Sequence, residues 1–174
     1  MTAPLSVPVA ALLTERRLAP LAFEVAAGAD GLDARLITNP RIQKPGLALA
    51  GYLPYVKPGR LQILGESEYD FLATFQPAAA EQRLKCLMEL EIPCVVSAKG
   101  RRPPAGALEA ANAAGVPLLL TRATTAEAIE LISDYLEDSL APRVQVHGVL
   151  IDVFSLGTLI LGDPGIGKSE CALE

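Results

Sequence analysis

The octet Gly162-Asp163-Pro164-Gly165-Ile166-Gly167-Lys168-Ser169 puts three glycines ahead of a lysine and a hydroxyl, a pattern suited to holding phosphate. Glycine lacks a Cβ, so Gly162, Gly165 and Gly167 are expected to take positive φ and turn their N–H groups toward a di- or triphosphate. Lys168 then sets an ammonium against the β and γ oxygens, and the Ser169 hydroxyl is a candidate ligand for a Mg²⁺ ion bridging them. Asp163, Pro164 and Ile166 complete the loop, Asp163 being read as a residue that fixes local hydrogen bonds. Such a loop works only between a strand and a helix, because the anion sits on the N–H donors that a first helical turn leaves unpaired. Thr158 to Leu161 reads as a short buried strand and Ser169 to Glu174 as the start of a helix. A chance glycine turn is the bland alternative, and the context on both sides disfavours it.

Other titratable residues lie near this octet. His147 is the single histidine, and from the residues alone a lone histidine at a strand end reads as a hydrogen-bonded structural group. Asp152 reads as a solvent-facing strand residue, with a supporting role at the site as the alternative. Glu170 stands in the first helical turn, where it favours the helix dipole and opposes a phosphate; its role stays open.

Upstream elements are legible from periodicity. A short helix is expected over Pro8 to Arg17, and Leu21 to Tyr55, broken by prolines and glycines, reads as loop-rich with two short strands. From Arg60 onward strands and helices alternate: strand Leu61 to Leu64, helices Glu66 to Phe75 and Ala78 to Leu90, strand Pro93 to Ser97, helix Ala105 to Ala114 ended by Gly115, strand Val116 to Thr121. Parallel strands need crossover helices, so the fold class is α/β, a small parallel sheet with covering helices. Thr124 and Glu127 have capping-box spacing and open a helix that runs to Leu140, before Pro142. The domain boundary falls there, giving residues 1–140 as an N-terminal α/β domain and residues 141–174 as the first strands and phosphate loop of a second α/β domain. In the latter, Val144 to Val146 and Val149 to Phe154 read as strands, with a turn at Ser155-Leu156-Gly157.

Composition narrows the function classes. Fifteen basic against twenty acidic residues give a net charge of -5, and the basic groups Arg16-Arg17 and Lys99-Gly100-Arg101-Arg102 read as solvated faces or loops. No positive stripe exists for a nucleic acid backbone to follow. Cys86, Cys94 and Cys171 form no C-x-x-C and read as buried free thiols. With no basic, apolar leader at Met1 to Leu5 and no apolar run long enough for a bilayer, a soluble cytoplasmic protein is expected, with no membrane contact.

Beyond the octet, Ala141 to Phe154 including His147-Gly148-Val149-Leu150, and the Lys168-Ser169-Glu170 end of the loop, closely resemble the bacterial HPr kinase/phosphorylase family at the start of its kinase domain. Pro45 to Tyr52, Arg60 to Gly65 and Gly115 to Leu119 extend the resemblance over most of the chain. It implies a bifunctional enzyme that uses ATP, or in some members pyrophosphate, with Mg²⁺ to phosphorylate a serine of HPr, the phosphocarrier of the sugar phosphotransferase system. The reverse reaction removes that phosphate by phosphorolysis. The resemblance also implies a homohexamer, and gives Lys168 and His147 catalytic roles, His147 near the transferred phosphate. The family's paired aspartates and its later HPr-docking segment lie downstream of the loop, outside these residues, so the 174-residue chain is expected to be inactive alone. From the residues themselves two other readings stay open: a different P-loop kinase or NTPase with a small-molecule substrate, and a regulatory or interaction module.

Overall fold

The computed structural model describes residues 5–142 and 146–172. In chain order the elements are β1 (Val7–Pro8), α1 (Ala11–Thr14), β2 (Glu24–Ala27), β3 (Leu36–Ile37), α2 (Gly46–Leu49), β4 (Gln62–Leu64), α3 (Glu66–Ala73), α4 (Pro77–Met88), β5 (Val95–Ser97), α5 (Ala105–Ala114), β6 (Leu118–Leu120), α6 (Thr125–Ser139), β7 (Gly148–Val153), β8 (Leu156–Leu161) and α7 (Lys168–Cys171). They divide into two compact units, Met1–Ala141 and Pro142–Glu174. The expected strand Val144 to Val146 falls mostly on residues 143–145, outside the described residues, as do the last two positions of the expected terminal helix.

The first unit is built on a four-stranded sheet of order β2-β6-β5-β4. Strands β4, β5 and β6 run parallel, with Ile63 opposite Val96 and Val96 opposite Leu119. Every residue of these three strands is buried, which is why they read as unbroken apolar runs instead of alternating ones. One face, carrying Leu64, Val95 and Leu118, packs on Leu84, Leu87 and Met88 of α4 and on Ala107 and Ala111 of α5. The opposite face, carrying Ile63, Val96 and Leu119, packs on Ala128, Ile132 and Leu136 of α6 and on Leu12, Leu18 and Leu21. The α/β class with a mainly parallel sheet therefore holds, and the structure adds an antiparallel edge, β2 on β6, with a register shift between Val25 and Ala27.

The N-terminal region departs from the sequence reading. Instead of one helix over Pro8 to Arg17, Val7–Pro8 pairs with Leu36–Ile37, α1 lasts a single turn, and a 3-10 stretch spans Arg16–Leu21. Glu15 causes the break: its backbone is extended, and its carboxylate accepts the Arg17 N–H at 3.0 Å. Only one cysteine meets the expectation of burial. Cys94 is buried, which pushes its thiol pKa up, whereas Cys86 is half-buried and Cys171 exposed.

Helix α6 starts where the capping spacing places it. Thr124 Oγ1 accepts the Glu127 N–H at 3.2 Å, and the Glu127 carboxylate accepts the Thr124 N–H at 2.8 Å. Hydrogen bonds from the Thr124 hydroxyl and backbone hold the Glu127 carboxyl below its ordinary pKa of 4.5. A carboxyl with a lowered folded-state pKa binds fewer protons than in the unfolded chain, so its contribution is complete above pH 4.5 and fades as the pH falls through the lowered value. Thr124→Ala is expected to cost about 1 kcal/mol, with a flatter acid limb in a urea-midpoint-against-pH series; an unchanged midpoint would remove the cap from the account.

In the second unit β7 and β8 form an antiparallel hairpin, Gly148 opposite Leu161 and Val153 opposite Leu156. Its turn is Phe154-Ser155, both at positive φ (53° and 65°), as a type I′ two-residue hairpin requires. The sequence placed that turn at Ser155-Leu156-Gly157, but Gly157 lies inside β8 opposite Asp152. Nor is β8 a buried strand, since Leu159 and Leu161 are exposed. Among the described residues no helix is long and apolar enough to cross a membrane.

Candidate functional site

Strand β8 delivers the chain to Gly162, and α7 takes it up again at Lys168. Between them Gly165 and Gly167 sit at φ 83° and 90°, left-handed conformations that reverse the chain twice in three residues and are open to glycine at little cost. Gly162, expected to share that conformation, does not. A Cβ there would lie 3.0 Å from Cγ2 of the exposed Ile166 side chain, a close contact. The Ile166 N–H reaches the Asp163 carbonyl at 3.4 Å. The resulting loop, with Pro164 and Ile166 as its outer turn, encloses a cavity of about 230 Å³ lined by Gly165, Gly167, Lys168, Ser169 and Glu170.

Lys168 lies across this loop. Its Nζ donates to the carbonyls of Gly162 at 2.8 Å and Asp163 at 2.7 Å, and among the described residues no carboxylate pairs with it. Its positive charge is therefore held by neutral dipoles, and an incoming anion competes with two carbonyls for the ammonium. Ser169 stands one position on, exposed, in the first turn of α7. Glu170 brings the opposing charge, for its carboxylate is close enough that a Cβ on Gly167 would approach Oε2 to 3.0 Å. An anion in the cavity meets that carboxylate unless a cation enters with it. The residues present thus suit a magnesium-accompanied polyphosphate better than a bare one.

The hairpin register settles where the remaining candidates stand. His147 immediately precedes Gly148, the partner of Leu161, and Leu161 immediately precedes Gly162. Exposed His147 is thus at the same end of the hairpin as the loop. Asp152 is at the other end, where its Oδ1 accepts the Ser155 N–H at 2.7 Å and closes the turn. It is the solvent-facing strand residue that the sequence describes, exposed in β7 opposite Gly157, and the structure adds its hydrogen bond to the turn. Asp163 acts through its backbone carbonyl, which accepts from both Ile166 and Lys168. Among the described residues no cluster of His, Cys, Asp or Glu has metal-ligating geometry, so a cation here relies on the hydroxyl and the phosphates it accompanies.

Known proteins share this arrangement of sequence. Residues 7–136 match the family described as HPr Serine kinase N terminus, and residues 138–174 the one described as HPr Serine kinase C-terminal domain. The chain is similar to the HPr kinase/phosphorylase of Geobacter sulfurreducens, 43% identical over 148 residues that make up 85% of this chain and 46% of that protein. It is 38% identical to that of Bacillus cytotoxicus over 152 residues, 87% of this chain and 49% of the other, and 40% identical to that of Clostridium acetobutylicum over 147 residues, 84% and 47% respectively. The chain spans about half the length of the curated relatives it matches. A solved structure of the CBS and DRTGG domains of the regulatory region of Clostridium perfringens pyrophosphatase aligns with 74% of this chain and 52% of its own at 16% identity, with a TM-score of 0.48, too low to establish a common fold.

Proposed function

The chain belongs to the HPr serine kinase family, and on that ground we propose that the whole protein is an ATP-dependent kinase for a serine of HPr, and the phosphorylase that reverses the modification. The observation that carries the reading is Lys168, an ammonium that has no carboxylate partner among the described residues, folded over a loop shaped by two left-handed glycines. Residues 162–169 would hold the phosphates of ATP, or of pyrophosphate, and Ser169 would ligate Mg²⁺. The nucleotide supplies the phosphoryl group and the metal spreads its developing charge.

Each residue has a defined task in this reading. Lys168 exchanges the Gly162 and Asp163 carbonyls for phosphate oxygens, and the amides of Gly165 and Gly167 line the same cavity. Glu170 makes metal-free phosphate unwelcome. His147, at the loop end of the hairpin, presents an imidazole toward the transferring group. Residues 1–140 then serve as a regulatory domain and residues 141–174 as the first part of the kinase domain. Transfer from a serine hydroxyl also needs a base aligned with the attacking oxygen, and the described residues at the cavity offer only Glu170, which faces the phosphate loop. The 174-residue chain by itself is therefore taken to be inactive. A cytoplasmic homohexamer, with HPr as protein partner and no nucleic acid or membrane partner, completes the proposal.

The test is to incubate the whole protein with HPr, ATP and Mg²⁺, map the phosphate by mass spectrometry, then add inorganic phosphate and follow its removal. Phosphoserine on HPr, lost again on adding phosphate, is the expected result; transfer only to a small molecule would replace this reading with that of another P-loop kinase. His147→Ala is expected to slow both directions by about tenfold or more, the worth of one charge-assisted hydrogen bond. If neither rate changes, His147 belongs to the hairpin alone.

A further inference from the structure

A second cavity lies in the first unit, at the carboxyl edge of the parallel sheet. After β5 the chain turns to α5 on one face of the sheet, and after β6 to α6 on the other. Adjacent strands that leave to opposite faces open a crevice beyond their carboxyl ends, the usual ligand position in open α/β sheets. Here the crevice measures about 450 Å³, within the range of roughly 300–1,000 Å³ typical of small-molecule sites. Its charged wall residues are Glu24, Arg102 and Arg122, and Leu120 and Thr121 form its floor.

Hydrogen bonds tie together the backbone around the crevice. Lys99 N–H donates to the Ala123 carbonyl at 2.9 Å and Gly100 N–H to the Thr121 carbonyl at 2.8 Å, tying the two loops together. Ser97, fully buried, bonds the Tyr69 hydroxyl at 2.6 Å and donates to the Arg101 carbonyl. Lys99 is paired to Glu66, and Arg101 lies 3.8 Å from Asp70. Thr121 Oγ1 donates to the Leu21 carbonyl, anchoring the floor. Among the described residues of this unit the non-glycine positions with positive φ are Ala22 and Lys99; one lines the crevice and the other adjoins Gly100, which does. Strained backbone of this kind persists where the surroundings over-determine it and gathers at ligand clamps.

The charges identify the ligand class. Arg102 is occupied by the Glu24 carboxylate at 2.6 Å, whereas Arg122 has no ion pair among the described residues. The crevice therefore carries two guanidinium groups and one carboxylate, a positive site on a chain of net charge -5. A carboxylate ligand gains nothing by displacing Glu24, which is already tethered in place. A phosphate monoester brings two negative charges and three acceptor oxygens, enough to engage both forks at once.

We propose that the crevice between Arg102 and Arg122 is a binding site for a small phosphate monoester, distinct from the loop at Lys168. Binding frees Glu24, the first residue of β2, whose partner across the ladder is Leu120 on the crevice floor.

The experiment is a ¹⁵N NMR titration of the 174-residue chain with glycerol 3-phosphate, with glycerol and acetate as controls. Saturable shifts are expected at the Gly100 and Arg122 amides and the Arg122 side-chain Nε, and neither control should produce them. Arg122→Ala is expected to weaken binding at these resonances at least tenfold. Glu24→Gln should tighten it severalfold by removing the internal competitor, and Lys168→Ala should leave it unchanged. Shifts confined to Gly165 and Gly167, equal shifts with acetate, or indifference to Arg122→Ala would each overturn the proposal without touching the kinase reading.

Discussion

Lys168→Ala in the whole protein is expected to lower phosphate transfer to HPr by on the order of 10²- to 10³-fold, the usual penalty for losing one pre-positioned donor from a charge-stabilising site. The lysine is expendable to the fold, since among the described residues its ammonium bonds the Gly162 and Asp163 carbonyls of its own loop. The loop's shape comes from Gly165 and Gly167, which the substitution leaves alone. Thermal unfolding should therefore be unchanged while turnover collapses. Arginine should not rescue, because a planar fork replaces a compact point charge in a small cavity. Retained turnover in Lys168→Ala would mean that the phosphates are held elsewhere.

The largest stability effect belongs to a glycine far from the chemistry. Gly28 has φ 67°, and a Cβ on it would stand 2.1 Å from the Val116 carbonyl oxygen and 2.8 Å from the Pro117 nitrogen. Both are backbone atoms of the two residues that precede β6, so no rotamer change relieves the contact. Its own N–H donates to Asn112 Oδ1 at 2.6 Å, tying this corner to α5. Gly28→Ala must pull β2 off β6, and we expect a loss of about 3 kcal/mol or more, a drop in Tm on the order of 10 °C. Gly115→Ala is the control. It shares the left-handed conformation at φ 58° but would meet nothing within 4 Å, so only the conformational cost of about 1 kcal/mol applies. Equal melting shifts for the two variants would contradict the packing argument.

These two cases show why some of the molecule is legible in its sequence and some is not. The phosphate loop announces itself because every part of its work is done within eight neighbouring residues. Strands β5 and β6 and helix α6 are similarly local: apolar runs between punctuating glycines and prolines, and a capping box followed by a 3.6-residue rhythm. The first sixty residues are held by distant partners that no local pattern records. Arg35 donates to the carbonyls of Gly115, Ala114 and Ile92, and Gln43 bridges the Tyr55 carbonyl and the Lys57 N–H. The β2 edge is of this kind too, since nothing in Glu24 to Ala27 specifies an antiparallel partner nearly a hundred residues on.

At the candidate site the same division appears. Phe154 is an unusual residue for a left-handed turn, so the glycine at position 157 is the stronger local signal and draws the expected turn away from its true place; the hydrogen bond from the Ser155 N–H to Asp152 is hidden with it. Lys99-Gly100-Arg101-Arg102 is the exposed basic loop that its composition describes, but only the topology of the sheet places it beyond the carboxyl end of a parallel strand. What the sequence lacked in each instance was register or topology, both set by contacts between segments.

Hydrogen exchange of the whole protein, followed by mass spectrometry with and without Mg²⁺ and ATP, tests the central claim most directly. The account predicts that the nucleotide slows exchange across residues 162–171, leaves the Phe154-Ser155 tip untouched, and loses its effect in Lys168→Ala. Nucleotide binding that leaves residues 162–171 exchanging at their free rate would contradict it.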